Sequence, residues 1–344
     1  MEKLRIAVAP HNYLPPEILA EVFLHCSNHE TLDGRLAILG RSPRPLPAPW
    51  MLGHICSRWR QIASREQCLW NSIYYKGNSW RRVLLLRGAF GDGGQSPLRL
   101  GAGEFREDLG KLFLREIVRP QLRRITSLFL DVATTTFKNF LLLPSGLLDE
   151  LECIKIQVCS GNGDLSPPPA TVFQKAPRLR RVTIPLLYIR SLLDLALPWD
   201  RLTYLALTPE SIPLADSFKV MSWCTNLCES HLCPHPDDEP PIQVFPPASI
   251  QLPYLRKLGL KIFWEPLYAD FFRSLVIPKL EQFAFVLWDP SEAYLKELRE
   301  TIDRLSIPDL RLELHYDGGY DVGIVRLVHS SPPLGSMNPP LLLP

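Results

Sequence analysis

Pro177-Arg178-Leu179-Arg180-Arg181-Val182-Thr183-Ile184 and, one step later, Asp200-Arg201-Leu202-Thr203-Tyr204-Leu205-Ala206-Leu207 decide how this chain folds. Each sets apolar residues at a first position n and again at n+3 and n+5. The n+3 and n+5 pair share one side of a short strand, while residue n turns the chain into it. The same spacing returns as Ile125/Leu128/Leu130, Leu151/Ile154/Ile156, Leu227/Ser230/Leu232, Leu255/Leu258/Leu260 and Leu280/Phe283/Phe285. From Ile125 onward the first positions advance by 26, 28, 23, 25, 28 and 25 residues. Leu98-Arg99-Leu100 reads as an early copy, and a degraded last one begins at Leu310, with Leu312 and Leu314 alternating. One such unit cannot bury its apolar face alone, so neighbours must stack their strands in a parallel ladder.

Between the strands the apolar period lengthens to that of a helix. Tyr188–Leu197, Phe218–Cys224, Tyr268–Val276 and, most clearly, Ser291–Leu305 read as helices. Strand and helix in alternation at this period give an α/β chain. The spacing matches the leucine-rich repeat, whose units run about 20–29 residues around an L-x-x-L-x-L segment. The expected architecture is an irregular leucine-rich-repeat solenoid over 97–329. Ser230 interrupts one unit, and the Asn or Cys that usually follows the L-x-L pair is mostly absent. Gly161–Pro169 and Pro234–Pro247 read as surface loops, and 330–344 as a disordered proline-rich tail.

Upstream, Leu14-Pro15-Pro16-Glu17-Ile18-Leu19-Ala20-Glu21-Val22-Phe23 reads as a helix. Its prolines suit the first turn and Glu17 complements the positive helix end. Leu14, Ile18 and Val22 fall at i, i+4 and i+8, with Leu19, Phe23 and Cys26 widening the stripe. A second helix is expected from Trp50 to Arg65, with Leu52, Ile55, Cys56, Trp59, Ile62 and Ala63 on one face. Leu69, Trp70 and Ile73 form a short apolar extension.

These three blocks, Leu-Pro-Pro-Glu-Ile-Leu-x-Glu-Val-Phe, Cys56-x-x-Trp59-Arg60-x-Ile62-Ala63 and Leu69-Trp70-x-x-Ile73, resemble an F-box. The likeness is greatest to the F-box-like proteins abundant in mushroom-forming fungi, and it covers about 60 residues. It implies an F-box-like helical module over 10–76 that docks on the Skp-type adaptor of a cullin-RING ubiquitin ligase. By position it makes Leu14, Pro15, Ile18, Val22, Ile55 and Trp59 the adaptor contacts. The connection Ser27–Pro49 departs from the family. It is longer and more irregular, with Pro43, Pro45, Pro47 and Pro49 alternating, and only Leu32–Leu39 is left as a helix within it. A second reading stays open: the helical unit could cap the open end of the array, with the Leu14 and Trp59 stripes turned inward. Residues 77–96, with Gly88, Gly91, Gly93 and Gly94, read as a flexible link.

No feature calls for an active site, and no enzyme is expected. Cys224, Cys228, Cys233, His231 and His235 are the one dense group of possible metal ligands. Their spacings of three and four residues are not the paired C-x-x-C of zinc sites, so they read as core cysteines and no metal is expected. The glycines lead to no G-K-[ST] ending that would cradle phosphate. No G-x-S-x-G elbow or H-E-x-x-H helix occurs. Asp237, Asp238 and Glu239 sit among prolines as a solvated loop, and His54 reads as a surface histidine.

Composition agrees with a globular chain of 344 residues, 46% hydrophobic and 22% charged. Its 34 prolines favour many short elements. A net charge of +2 gives no basic face for nucleic acid. No apolar run approaches the ~18 residues of a membrane span. The first residues are too short an apolar stretch for a secretory signal, so the eight cysteines are expected reduced, in cytoplasm or nucleus. No cofactor is expected. The partners implied are the adaptor complex and a substrate protein, with Arg180, Arg181, Tyr204, Arg256, Lys257 and Glu281 beside the strands as candidate substrate contacts. Under the second reading the chain is instead a free-standing interaction scaffold.

Overall fold

The computed structural model describes residues 13–27, 48–76, 80–91, 96–103, 107–159, 171–184, 195–235, 250–263, 267–288, 300 and 309–315. It forms two compact units, Met1–Leu179 with Tyr188–Leu197, and Arg180–Leu187 with Pro198–Pro344. Both are mixed α/β and built on parallel strands.

The recurring triplet acts as a strand entry. In six copies the N–H of the first-position residue closes a tight turn on the carbonyl three residues back, at 3.1–3.4 Å, as from Leu151 to Leu148 and Leu255 to Leu252. The next N–H then donates to the equivalent carbonyl of the preceding copy. Glu152 to Thr126, Thr203 to Arg180, Cys228 to Thr203, Arg256 to Cys228 and Glu281 to Arg256 all do so at 2.8 Å. Residue n is thus where the chain bends, and n+1 is where pairing begins.

In the first unit, β1 (Ser72–Lys76), β2 (Leu98–Gly103), β3 (Ile125–Ala133) and β4 (Cys153–Cys159) lie side by side in chain order, all parallel. In the second, β5 (Arg181–Thr183), β6 (Tyr204–Pro213), β7 (Glu229–His235), β9 (Lys257–Phe263), β11 (Gln282–Trp288) and β12 (Asp309–His315) follow the same rule. Among the described residues neither ladder closes into a barrel. A two-residue parallel pair, β8 (Ile250–Gln251) with β10 (Leu275–Val276), joins two of the return segments.

Register follows the sequence period. Leu128 opposes Ile154, Val182 opposes Leu205, and Ser230 stands between Leu205 and Leu258. These n+3 residues are all buried. Parallel strands need a crossover on one face. Helices supply it in α4 (Trp80–Gly91), α5 (Glu107–Phe113), α6 (Thr134–Leu141), α7 (Leu214–Trp223) and α8 (Leu267–Ser274). They carry aromatic residues into the core: Phe140 meets Phe173 of the turn at 171–173, and Phe272 meets Phe283 of β11, each at 6.0 Å between centroids. Gly110 lets α5 approach α6 closely, since a Cβ there would come within 2.8 Å of Thr136 Oγ1.

Several expectations are corrected. The early copy Leu98-Arg99-Leu100 does open a strand, β2, but with a shorter step than the others: Leu98 opposes Ile125 and Leu100 opposes Leu128, so one residue of β3 is skipped between Leu98 and Arg99. The last copy starts earlier than Leu310, because Leu310 opposes Phe283 and so occupies n+3. Its first position is therefore Ile307, outside the described residues. The Tyr268–Val276 helix ends at Ser274, and Val276 pairs in β10. The helix expected from Phe218 begins at Leu214, directly after Pro213. The link expected over 77–96 contains α4, which buries Val83 and Leu86 and holds Gly88 and Gly91 within a helix. Burial of two aliphatic side chains outweighs the ~1 kcal/mol that each helical glycine costs. Ile73, the last apolar residue of the short extension, lies in β1, in register with Leu100. Pro234 and His235, read as the start of a loop, belong to β7 and oppose Ile212 and Pro213. The readings placed on Leu32–Leu39, Gly161–Pro169, residues 188–194, 236–247 and 330–344, and all of Ser291–Leu305 but Glu300, lie outside the described residues.

Candidate functional site

The helical head gathers the residues the sequence singles out. Its first helix, α1, spans Pro16–Ser27. Pro15 accepts the first helical bond from the Leu19 N–H at 3.1 Å, so Pro16 takes the first position, where its missing N–H costs nothing. The expected single helix over 50–65 is instead two, α2 (Ala48–Ile55) and α3 (Ser57–Arg65). The break is at Cys56, whose backbone is extended (φ −158°, ψ 169°) and whose Sγ accepts the Trp59 N–H at 3.4 Å. Cys56 is therefore a helix N-cap, and the supposed continuous apolar face is divided there.

Two apolar faces result. Leu19, Phe23, Leu52, Ala63 and Leu69 close on one another as the core of the head, with Leu24, Trp59, Ile62 and Trp70 packed around them. The Trp59 ring lies 4.7 Å from that of Phe23, tilted by 52°. The other face points to solvent: Ile18 is 49% exposed, Val22 43% and Ile55 55%. Leu14 and Pro15 are exposed with them. Arg58 Nη2 donates to the Leu14 carbonyl at 2.6 Å, which ties the start of α1 to the turn that follows Ile55. Of the six residues expected on the docking surface, five stand outward and Trp59 lies half-buried against the core. Met51, one turn before Ile55, is also exposed; its i, i+4 relation to Ile55 was the signal for it.

On the ladder of the second unit, Arg181 and Lys257 are exposed and Tyr204 is half-exposed, at the n+2 positions. Arg180, Arg256 and Glu281 occupy n+1 and are exposed too. Arg256 pairs with Glu281 at 3.2 Å.

The cysteine and histidine group does not converge. Cys224 ends α7 in the core, where burial, and secondarily the Asp200 charge, push its thiol up to about 12. Burial raises Cys233 also. Neither is a thiolate at neutral pH, the form that binds metals or attacks electrophiles. Among the described residues no three His, Cys, Asp or Glu side chains are placed to hold a metal. Nor is any helix among them long and apolar enough to cross a membrane. No protein-family model matches this chain, and no curated protein matches it.

Proposed function

We propose that this chain is a substrate-recruiting adaptor of a cullin-RING ubiquitin ligase. The head, as an F-box-like module, docks on the Skp-type adaptor, and the ladder, as a leucine-rich-repeat solenoid, holds the substrate protein. The observation that carries this reading is the outward stripe of Leu14, Ile18 and Val22, with Ile55 beside it, on a head that already has a core of its own. Apolar side chains at regular helical spacing in water are a surface waiting for a partner. The sequence blocks that resemble an F-box name which partner to test. Ubiquitin-transfer chemistry then belongs to other subunits, and the chain works in cytoplasm or nucleus, where such ligases act.

A scaffold with a capping head is the competing reading, and a different observation favours it. The last turn of the head, Gln67–Trp70, runs without interruption into β1. A cap, however, has no use for Ile18 and Val22 in solvent.

Co-expression of the full chain with a tagged Skp-type adaptor separates the two. Ile18→Asp with Val22→Asp should leave circular dichroism unchanged, since neither side chain is in the core, and should cut recovery on the adaptor at least about tenfold. Equal recovery of wild type and double variant, or recovery of neither, rejects the docking role. Trp59→Ala is unsuited to this test, because it opens the head core beside Phe23.

A further inference from the structure

The outward row of the second ladder carries charge that the fold itself does not consume. Arg181, Tyr204, Glu229 and Lys257 are successive Cα partners on β5, β6, β7 and β9. They face away from the core, because the next residue on each strand, Val182, Leu205, Ser230 and Leu258, is buried. The Arg181 guanidinium lies over the Tyr204 ring, 4.6 Å from its centroid. Tyr204 meets the His231 ring at 6.0 Å. His231 Nε2 lies 3.0 Å from Glu229 Oε1, so the carboxylate between the two cations is turned along β7 to the imidazole. The imidazole lies across Gly259 so closely that any Cβ there would collide with Nδ1. Glycine at 259 thus lets the ring lie down on the strand face. Among the described residues, no carboxylate pairs with Arg181 or with Lys257.

The spacing defines a ligand. Strands stand ~4.8 Å apart, so three steps put Arg181 and Lys257 about 14 Å from one another. An extended peptide rises about 3.3 Å per residue and turns alternate side chains to the same side, so residues i, i+2 and i+4 span nearly that distance. We propose that this row holds an extended acidic segment of the client protein laid across the strands, with carboxylates at i and i+4 on Arg181 and Lys257 and an aromatic residue at i+2 on the Tyr204–His231 rings. The inference rests on the proposed function only in taking this ladder as the place where the client is held.

The test is fluorescence anisotropy of the full chain with a fluorescein-labelled peptide Gly-Ser-Asp-Ala-Phe-Ala-Asp-Ser-Gly. Binding should weaken about tenfold when both aspartates are replaced by lysine, and by a similar factor for Arg181→Glu or Lys257→Glu, since like charges then oppose. It should also fall with rising salt. Both substitutions are on exposed side chains, and unchanged circular dichroism verifies the fold. Absence of binding, equal binding of the aspartate and lysine peptides, or indifference to both charge reversals overturns the proposal. The measurement uses no adaptor: peptide binding without adaptor recovery would keep this surface and remove the ligase role, and the converse result would do the opposite.

Discussion

Ser230 sits where every aligned neighbour in its ladder is apolar, at n+3 between Leu205 and Leu258. It is fully buried, and among the described residues its hydroxyl meets no hydrogen-bond partner. Burying such a group costs about 1–3 kcal/mol. Ser230→Ala removes the hydroxyl with almost no change of volume, so the urea midpoint should rise, equivalent to about 1 kcal/mol. A midpoint at or below wild type would mean that the hydroxyl is satisfied in solution. Serine thus keeps its place in the strand by register alone, which is why the unit could be read from its leucines despite it. The exposed apolar stripe of the head was readable to a similar degree. Leu14, Ile18 and Val22 declare a stripe by their spacing, and the structure turns that stripe outward. Spacing cannot say which of two adjoining apolar stripes is the inner one. That choice rests on Phe23, whose ring needs the cavity that Trp59 helps to close, and so Trp59 goes inward while its neighbour Ile55 stays in water.

At the scale of elements, the break between α2 and α3 was hidden because Cys56 has the right period to continue a helix. Its role as a cap depends on one weak contact, sulfur to the Trp59 N–H at 3.4 Å. Oxygen is the better acceptor and serine a preferred N-cap residue. Cys56→Ser should therefore stabilise the head by about 0.5–1 kcal/mol and Cys56→Ala should destabilise it by a similar amount. Thermal melts of the three proteins give the order, and a serine variant no more stable than the alanine one would deny the cap. Strands were easier to read than helices in this chain. An inner strand here is fixed by partners on both sides, so its register is copied from repeat to repeat. A return segment has only to span the gap. It is a helix in α4, whereas between β9 and β11 the helix α8 passes directly into the two-residue strand β10. The same copying shows why Leu310 misled: Ile307, three residues before it, carries the period, but Pro308 and the alternating leucines after it suggest a plain strand.

Across the first unit, the head and the ladder share a strand. The triplet Trp70/Ile73/Tyr75 has the n, n+3, n+5 spacing, and its first two residues also belong to the third block of the head. Trp70 Nε1 donates to the Ala63 carbonyl at 2.8 Å, holding the turn to α3. One residue on, the Asn71 carbonyl accepts from the Arg99 N–H at 2.7 Å, beginning the pairing of β1 with β2. Tyr75 is buried and stacks on Phe113 of α5, 6.0 Å between centroids and 16° between planes. A boundary drawn after residue 76 therefore cuts β1 from its one partner strand and Tyr75 from the ring that covers it. An isolated head of that length would retain a core of only a few side chains, below what ordinarily sustains a fold. Fragment 1–76 should accordingly lack a cooperative thermal transition by circular dichroism, whereas fragment 1–197, which keeps β1 to β4 and the rest of the unit, should melt cooperatively. A cooperative melt of 1–76 near the temperature of the longer fragment would show that the head stands alone and that β1 is only a passenger.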